Sequence, residues 1–236
     1  MRTIWFCGDV HGEFQHVHQA LERHPLTDLP AAVIFLGDMD PQEPLSKIFR
    51  RFLDAGIEPY FIHGNHESDH SDTWTHTLDC WERNLHGRVV NICGLLVAGL
   101  GGVFREETWF PPAEPKFNSY DDYIRHLRSI QPLRLRDDVG TSKRARVASS
   151  GIFPDVVSSL SKQRANVLVT HEAPSIFENG FSAIDKLASD LWVNSVFSGH
   201  HHRDMSASGS NFAAYQVGLR GIRELSGGIV RIGDSV

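Results

Sequence analysis

The sequence predicts a single α/β domain, because short apolar segments alternate with helix-like segments early in the chain and follow one another closely near its end. The chain has 236 residues, enough for one sizeable domain. Early strand–helix alternation predicts parallel β-α-β units, and closely spaced late strands predict a more antiparallel half. No internal repeat or low-complexity linker divides the sequence, so residues 1–236 are interpreted as one domain.

The individual elements follow from composition and periodicity. The predicted strands are Thr3–Cys7, Ala31–Leu36, Pro59–Ile62, Val89–Ile92, Leu95–Leu100, Val167–Val169, Val196–Phe197, Phe212–Val217 and Gly228–Ile232. The predicted helices are Phe14–Arg23, Leu45–Ala55, Thr73–Asn84, Asp121–Ser129, Pro154–Ser161 and Ile184–Leu191.

The least regular region, Phe104–Gly151, is interpreted as a surface insertion. It contains Pro111-Pro112 and Pro115, and its segment Arg134–Arg146 carries five basic and two acidic residues. Long loops in compact domains often have a function. A substrate loop beside the active site is therefore the alternative interpretation.

Composition limits the partners and the location of the protein. The net charge of −6 argues against broad electrostatic binding of nucleic acid but does not exclude a phosphorylated substrate at a metal site. No apolar run approaches the roughly 18 residues of a membrane span, and the first residues lack a signal-peptide layout. The three cysteines, Cys7, Cys80 and Cys93, are far apart, which favours reduced core thiols in a cytoplasmic protein. No obligate protein partner is evident.

Three motifs carry metal-binding side chains directly after the first three predicted strands. They are Gly8-Asp9-Val10-His11-Gly12, Gly37-Asp38-Met39-Asp40 and Gly64-Asn65-His66-Glu67. Each alone is compatible with an ordinary turn or a helix cap. Their repetition after successive strands favours a shared chemical site, since carboxylate and amide oxygens bind hard cations.

Two further motifs supply histidines after later strands. Thr170-His171-Glu172 follows Val167–Val169, and Gly199-His200-His201-His202 follows the segment that ends at Phe197. Alternation of side chains allows His200 and His202 to point one way while His201 points the other. A lone histidine is more often structural, but three adjacent ones within the chain favour a metal site.

The five motifs together predict a dinuclear metal centre. Ligands bind where the carboxyl ends of strands converge in open α/β sheets, and every motif lies at such an end. Three oxygen donors and four histidines suit two divalent ions of borderline hardness, with Mn²⁺ favoured and Fe or Zn²⁺ as alternatives.

In this order, the motifs resemble those of the calcineurin-like metallophosphoesterases, over the span from Gly8 to His202. The resemblance implies a four-layer αββα sandwich, in which two mixed β-sheets are flanked by helices and the metals lie at the loop edge. It also implies a role for His66, which would contact the scissile phosphate and protonate the leaving oxygen. The implied ligands are Asp9, His11 and His202 for one metal, Asn65, His171 and His200 for the other, and Asp38 bridging both.

The chain departs from the protein phosphatase branch of that family after Asp38. That branch has Gly-Asp-x-x-Asp-Arg-Gly, whereas Asp40-Pro41-Gln42 stands here, so the basic phosphate clamp is missing. Asp40 is the candidate to orient His66.

A narrower likeness links three segments to the RNA lariat debranching enzymes. The segments are Gly8–Leu21, Gly64–Ser68 and the glycine-rich run Gly99–Arg105 with the Pro-Pro loop that follows it. Those enzymes carry a cysteine where this chain has Asp9, so the likeness does not extend to this predicted metal ligand. The likeness favours a phosphodiester or nucleic-acid substrate.

The predicted activity is hydrolysis of a phosphate ester by metal-activated water, with His66 as general acid. The ester that the sequence favours is a phosphodiester of a nucleotide or nucleic acid.

Arg105 is a candidate to bind a substrate phosphate; the alternative is a surface arginine that pairs with Glu106 or Glu107. A dinucleoside polyphosphate hydrolase and a phosphomonoesterase are the catalytic alternatives. A non-catalytic protein-binding scaffold is the alternative of another class.

Overall fold

The computed structural model describes residues 3–132, 137–209 and 211–235, and its strands form two mixed sheets. The strands are β1 (Ile4–Cys7), β2 (Ala32–Phe35), β3 (Glu58–Phe61), β4 (Arg88–Ile92), β5 (Leu95–Leu100), β6 (Val167–Thr170), β7 (Ser195–Ser198), β8 (Met205–Ser208), β9 (Ala213–Gln216), β10 (Ile222–Glu224) and β11 (Ile229–Arg231). One sheet has the order β11-β10-β1-β2-β3 and the other the order β4-β5-β6-β7-β9-β8. Each sheet contains a run of neighbouring parallel strands: β1, β2 and β3 in the first, and β5, β6, β7 and β9 in the second.

Helices cover the outer faces of both sheets. They are α1 (Gln15–Arg23), α2 (Leu45–Asp54), α3 (Ser71–Leu78), α4 (Tyr120–Ile130), α5 (Lys143–Ser149), α6 (Pro154–Leu160) and α7 (Ser182–Leu191). Apolar residues of α1 and α2 pack on the first sheet, and those of α6 and α7 pack on the second. The predicted αββα sandwich is therefore confirmed.

The core between the sheets follows from the two-residue alternation of β1. Ile4 and Phe6 belong to the cluster that joins the two sheets, whereas Trp5 and Cys7 pack toward α1 and α2. The ring of Phe6 stacks on that of Phe197 from β7, with 3.8 Å between the ring centroids. Both residues are fully buried. This contact fixes the distance between β1 and β7, the strands that precede the first and last motifs.

The region 104–151 forms a small helical layer with a core of its own. Val103 and Gly151 pair at its base, and Tyr123, Ile124 and Leu127 of α4 pack on its buried side. The helix predicted at Asp121–Ser129 is present as α4, whereas α5 was not predicted because its sequence, Lys-Arg-Ala-Arg, lacks an apolar stripe. The segment Arg134–Arg136 of the predicted basic stretch lies outside the described residues.

Three predictions about local structure were wrong. Strands β8 and β10 were missed because β8 is a mostly exposed Met-Ser-Ala-Ser segment and β10 has only three residues. The helix predicted over Thr73–Asn84 ends at Leu78, and a short 3₁₀ turn over Trp81–Arg83 follows. Cys7 and Cys80 are buried as expected, but Cys93 is exposed in the turn between β4 and β5 with φ of 55°.

The helices are short relative to a bilayer. Among the described residues, no helix combines the length and the apolar character that a membrane crossing requires.

The stacked rings between the sheets generate a stability prediction. Replacement of Phe197 by Ala should lower the free energy of unfolding by about 3–5 kcal/mol, because it removes a fully buried ring and leaves a cavity. Phe110→Ala is the matched control, since Phe110 is 42% exposed and the same change should cost about 1 kcal/mol or less. Urea unfolding monitored by circular dichroism measures both. Equal losses in the two variants would contradict the assigned inter-sheet core.

Candidate metal centre

The five motifs follow β1, β2, β3, β6 and β7, and the structure brings all of them to one edge of the sandwich. Asp9 lies two residues after β1, Asp38 three residues after β2, and His200 two residues after β7. Nδ1 of His171, from the second sheet, lies 3.7 Å from Oδ1 of Asp9, from the first. The site therefore lies across the junction of the two sheets, where their parallel strands end together.

The backbone at this edge adopts an unusual conformation at five positions that are predicted site residues. The φ angles are 42° at His11, 47° at Asp38, 45° at Asp40, 69° at His200 and 55° at His202. Residues other than glycine rarely adopt this left-handed region, and each such residue costs free energy. A strained conformation at so many neighbouring positions is typical of side chains held in place for function.

Close packing explains the glycine in the last motif. A Cβ atom at Gly199 would lie 2.6 Å from Oδ1 of Asp9, which is closer than real Cβ contacts allow. Only glycine lets the loop that carries His200 approach the Asp9 carboxylate.

One group of donors surrounds the imidazole of His171. Its Nδ1 donates to the carbonyl oxygen of Leu36 at 2.7 Å, which leaves Nε2 as the lone-pair atom. That Nε2 lies 3.3 Å from Oδ2 of Asp38 and 3.3 Å from Oδ1 of Asn65. His200 joins them, since ligand atoms of Asp38, His171 and His200 lie within 4.8 Å of one another. Two oxygens and two nitrogens thus converge on one point.

A second group contains Asp9, His11 and His202. Nε2 of His202 lies 3.5 Å from Oδ2 of Asp9 and 3.3 Å from Nε2 of His11. Asp9 is fully buried, and neither of its carboxylate oxygens has a hydrogen-bond partner within the described part of the chain. A buried carboxylate without donors is costly unless a cation neutralises it. The donor set therefore fits a metal ion.

Asp38 belongs to the first group and is held rigidly, and its backbone carbonyl accepts the N–H of His11 from the second group at 3.0 Å. Its Oδ1 accepts the backbone N–H groups of Asn65 and His66 at 2.9 and 3.0 Å, while its Oδ2 faces His171. These bonds connect the loop after β2 to the loop after β3. They also direct both carboxylate oxygens, so that one carboxylate can serve two cations.

The pKa values of these groups reflect charge that the protein alone does not balance. Burial raises the pKa of Asp9 to about 7. Burial opposes ionisation of Asp38 as well, but His171 and the backbone N–H donors hold the pKa of Asp38 below its ordinary value. Burial lowers the pKa of His171, but Asp38 and Asp9 outweigh it and raise that pKa to about 10. A bound cation would supply the positive charge that the His171 proton supplies in its absence.

The imidazoles of His200 and His202 favour the neutral form that metals bind, whereas that of His11 does not. Burial lowers the pKa of His200 to about 3 and lowers the pKa of His202. The hydrogen bond with Asp40 raises the pKa of His11.

The predicted partnership of Asp40 with His66 was wrong. Oδ2 of Asp40 lies 2.7 Å from Nδ1 of His11, so Asp40 orients a predicted metal ligand. The ring of His66 instead has Oδ2 of Asp69 at 2.8 Å from its Nδ1. Its Nε2 lies 4.0 Å from Oδ2 of Asp38, at the rim of the site.

Two acidic residues were missed by the sequence analysis. Buried Glu67 accepts the backbone N–H groups of Gly64 and Met39 at 2.8 and 2.6 Å and so ties two motif loops together. Burial raises the pKa of Glu67 to about 8, with Asp38 adding to it and the N–H donors opposing it. The sequence signal that could have identified Glu67 is its place in the motif Gly64-Asn65-His66-Glu67. For Asp69, which faces His66, the only such signal is its position three residues after that histidine.

The last predicted site residue, Arg105, lies at the base of the insertion. Its Nη2 donates to Oγ of Ser150 at 2.8 Å, and within the described residues it forms no ion pair with Glu106 or Glu107. The surface-pair interpretation is therefore wrong. The neighbouring aromatic residues pack the loop onto the domain, since Phe104 meets both Trp109 and Phe181 edge-on or tilted.

His201 is not among the assigned donors, but it lies beside one of them. Its Nδ1 accepts a hydrogen bond from Nε2 of Gln216 at 2.7 Å, and ligand atoms of His201, His200 and Glu172 lie within 4.8 Å of one another. The side chain of His201 therefore does not point away from that of His200, although the predicted alternation requires it to do so.

Comparisons with known proteins agree with the geometry. A model of the calcineurin-like phosphoesterase family matches residues 2–204. An uncharacterised protein of Haemophilus influenzae is 34% identical over 229 residues, which span 95% of this chain and 94% of that protein. One solved structure superposes with a TM-score of 0.57 at 12% identity and covers 95% of each chain, a likeness of fold alone. The phosphopantetheinyl hydrolase PptH of Mycobacterium tuberculosis has a TM-score of 0.49 at 15% identity, with 93% and 90% of the chains covered.

The family match covers most of the chain, and the site contains the oxygen and nitrogen donors that metal ions require. The chain therefore belongs to the calcineurin-like phosphoesterase family and is a metal-dependent phosphoester hydrolase.

Proposed function

We propose that the protein hydrolyses a phosphodiester of a nucleotide or nucleic acid at a dinuclear metal centre. The observation that carries this proposal is the pair of neighbouring donor groups, one around Asp38 and His171 and the other around Asp9, with the exposed ring of His66 at their rim. One group alone would support a single structural ion. Two groups that share one carboxylate, beside a proton donor, are suited to phosphoryl chemistry.

The ligand assignment follows the two groups. Asp9, His11 and His202 would hold one ion, and Asn65, His171 and His200 the other, with Asp38 serving both. The mixture of carboxylate, amide and imidazole donors suits Mn²⁺ best, with Fe or Zn²⁺ as alternatives. Asp40 would fix the tautomer of His11, as the Leu36 carbonyl does for His171.

The chemistry divides between the ions and the chain. When bound, two divalent ions lower the pKa of a water nucleophile and neutralise the non-bridging oxygens of the phosphate. The chain itself supplies the proton for the departing oxygen. Nδ1 of His66 faces Asp69, so Nε2 faces the site and would deliver that proton.

A diester is favoured by the scarcity of positive side chains. Pro41 and Gln42 stand where the protein phosphatase branch has a basic clamp, and the net charge is −6. A diester carries one negative charge at neutral pH, so it demands less positive charge than a monoester does. Arg105 is half-buried and donates to Ser150, which contacts Ser68 of the His66 turn. It would contact the substrate phosphate from the insertion side, and region 104–151 would then be the substrate loop.

The alternatives are distinguished by substrate. Hydrolysis of a dinucleoside polyphosphate or a monoester in preference to a diester would replace the proposal, and binding of metal without any hydrolysis would favour a protein-binding scaffold. A cytoplasmic location and the lack of an obligate protein partner remain predictions from the sequence.

Replacement of Asp38 by Asn should lower the hydrolysis of bis-(p-nitrophenyl) phosphate by about a hundredfold or more, because it removes the carboxylate that serves both donor groups. Asp28→Asn is the matched control, since Asp28 is exposed in a surface turn. Circular dichroism checks that both variants keep the fold. Undiminished turnover of the Asp38 variant would refute the mechanism.

Replacement of His66 by Ala should leave about two metal ions per chain bound while turnover falls by roughly 10²–10⁴-fold, because the proton donor is lost but the proposed ligands remain. Elemental analysis measures the metal and a steady-state assay the turnover. His70→Ala, four residues away and exposed, should behave like the wild type. Loss of metal from the His66 variant would assign His66 to the ligands instead.

Metal affinity should fall as the pH is lowered from 8 to 6. The pKa of Asp9 in the metal-free protein is raised to about 7, so below that pH a cation must displace a proton to bind. The apparent affinity should drop about tenfold per pH unit for each proton displaced. Calorimetric titration with Mn²⁺ in buffers of different ionisation enthalpy measures both affinity and protons released. An affinity that does not change over this range would contradict the assignment of Asp9.

A further inference from the structure

The insertion contacts the short turn His66–Ser68, which carries the proposed proton donor. Helix α5 packs against this turn and against α3, which follows it. The contacts span almost eighty positions of sequence and join the insertion to the loop after β3. They are made by polar side chains rather than by apolar packing.

Arg146 of α5 makes the most direct of these contacts. Its Nε donates to the carbonyl oxygen of Ser68 at 3.0 Å, and its Nη2 donates to that of Asp69 at 3.3 Å. Both carbonyls lie at the carboxyl end of the turn, where oxygens lack partners within the turn itself. A guanidinium presents its donors in a fixed planar fork, so two adjacent carbonyls are held in one geometry.

A second contact reinforces the first from the buried side. Oγ of Ser150 lies 2.7 Å from Oγ of Ser68, and both residues are fully buried. The Ser68 hydroxyl also donates to the carbonyl oxygen of Asn65 at 3.0 Å. The insertion thus holds the carboxyl end of the turn, and the Ser68 hydroxyl connects that end to the proposed metal ligand Asn65.

Arg146 binds the carbonyl oxygen of Asp69, and the side chain of Asp69 contacts His66. Oδ2 of Asp69 lies 2.8 Å from Nδ1 of His66, and both side chains are nearly half exposed. An exposed contact of this kind contributes little by itself, so it can orient the His66 ring only where the backbone at Asp69 is held in place. The orientation of His66 therefore depends on a rigid backbone at Asp69, which Arg146 supplies.

We propose that Arg146 is a positioning residue for His66, and that the insertion is thereby part of the catalytic machinery as well as a substrate loop. Arg146 holds the backbone of Asp69, the Asp69 carboxylate fixes the ring of His66, and Nε2 of His66 is directed into the site. The inference rests on the proposed role of His66 as proton donor.

A role of Arg146 in substrate binding is less well supported. Two of its nitrogens are engaged with backbone carbonyls, and its side chain is only half-exposed. A substrate-binding arginine would change KM, whereas a positioning residue changes kcat. The two roles also differ in their dependence on the leaving group. A p-nitrophenolate departs with little help from an acid, while an alkoxide requires a proton.

The test compares two thymidine diesters, the 5′-p-nitrophenyl phosphate and the dinucleotide with a 3′,5′-phosphate. Arg146→Ala should lower kcat for the dinucleotide by about tenfold or more and for the p-nitrophenyl ester by about threefold or less, with KM nearly unchanged. Asp69→Asn should show the same selectivity, and Arg146→Lys should recover part of the loss. Arg144→Ala is the matched control, because Arg144 lies on the same helix, is exposed, and forms no hydrogen bond or ion pair among the described residues. An equal loss for both esters, or a loss confined to KM, would overturn the inference.

A second measurement does not depend on activity. Amide hydrogen exchange over residues 66–69 should be about tenfold faster in Arg146→Ala than in the wild type and unchanged in Arg144→Ala. Unchanged exchange in the Arg146 variant would overturn the inference even if the enzyme were active. A wild type that hydrolyses neither ester would overturn the proposed function, while faster exchange in the same sample would still support the contact that Arg146 makes with the turn.

Discussion

The rest of the structure depends on the burial of negative charge at the junction of the two sheets. Asp9 is fully buried without a donor to either oxygen among the described residues, and Asp38 lies beside it with His171 between their loops. Such a cluster is unfavourable in an apolar interior unless cations enter it. The left-handed backbone at His11, Asp38 and His200 adds a further cost. The fold tolerates both because the surrounding strands are among its most completely buried elements.

The packing of the sandwich fixes the relative positions of the loops that carry these buried groups. Phe6 stacks on Phe197, so β1 and β7 are held at a fixed spacing directly beneath the loops that carry Asp9 and His200. Glu67 connects the loops after β2 and β3 through two backbone N–H groups. Donors that come from five separate loops can converge only when the strands beneath them do not move relative to one another. The geometry of the metal centre therefore depends on the packing of the hydrophobic core.

The insertion modifies a site that the sandwich has already formed. Its own small core, around Tyr123 and Leu127, is separate from the cores of the two sheets. It reaches the site through Arg105, Arg146 and Ser150, which all contact one another or the turn after β3. Its core is thus separate from the residues that would bind metal. This separation is consistent with a family in which one core serves different phosphoesters.

The sequence by itself determined the fold class, the positions along the chain of nearly all strands, and the family. These follow from signals carried by consecutive residues: apolar alternation, glycine beside aspartate, and three adjacent histidines. Only the tertiary structure decided which polar groups meet. Asp40 faces His11, and the partner of His66 is Asp69. Arg146 binds the backbone carbonyl of Asp69, which lies 77 positions earlier in the chain. Spacing along the chain cannot reveal such pairings, because the left-handed backbone at Asp40 and the docking of α5 set the directions of these side chains.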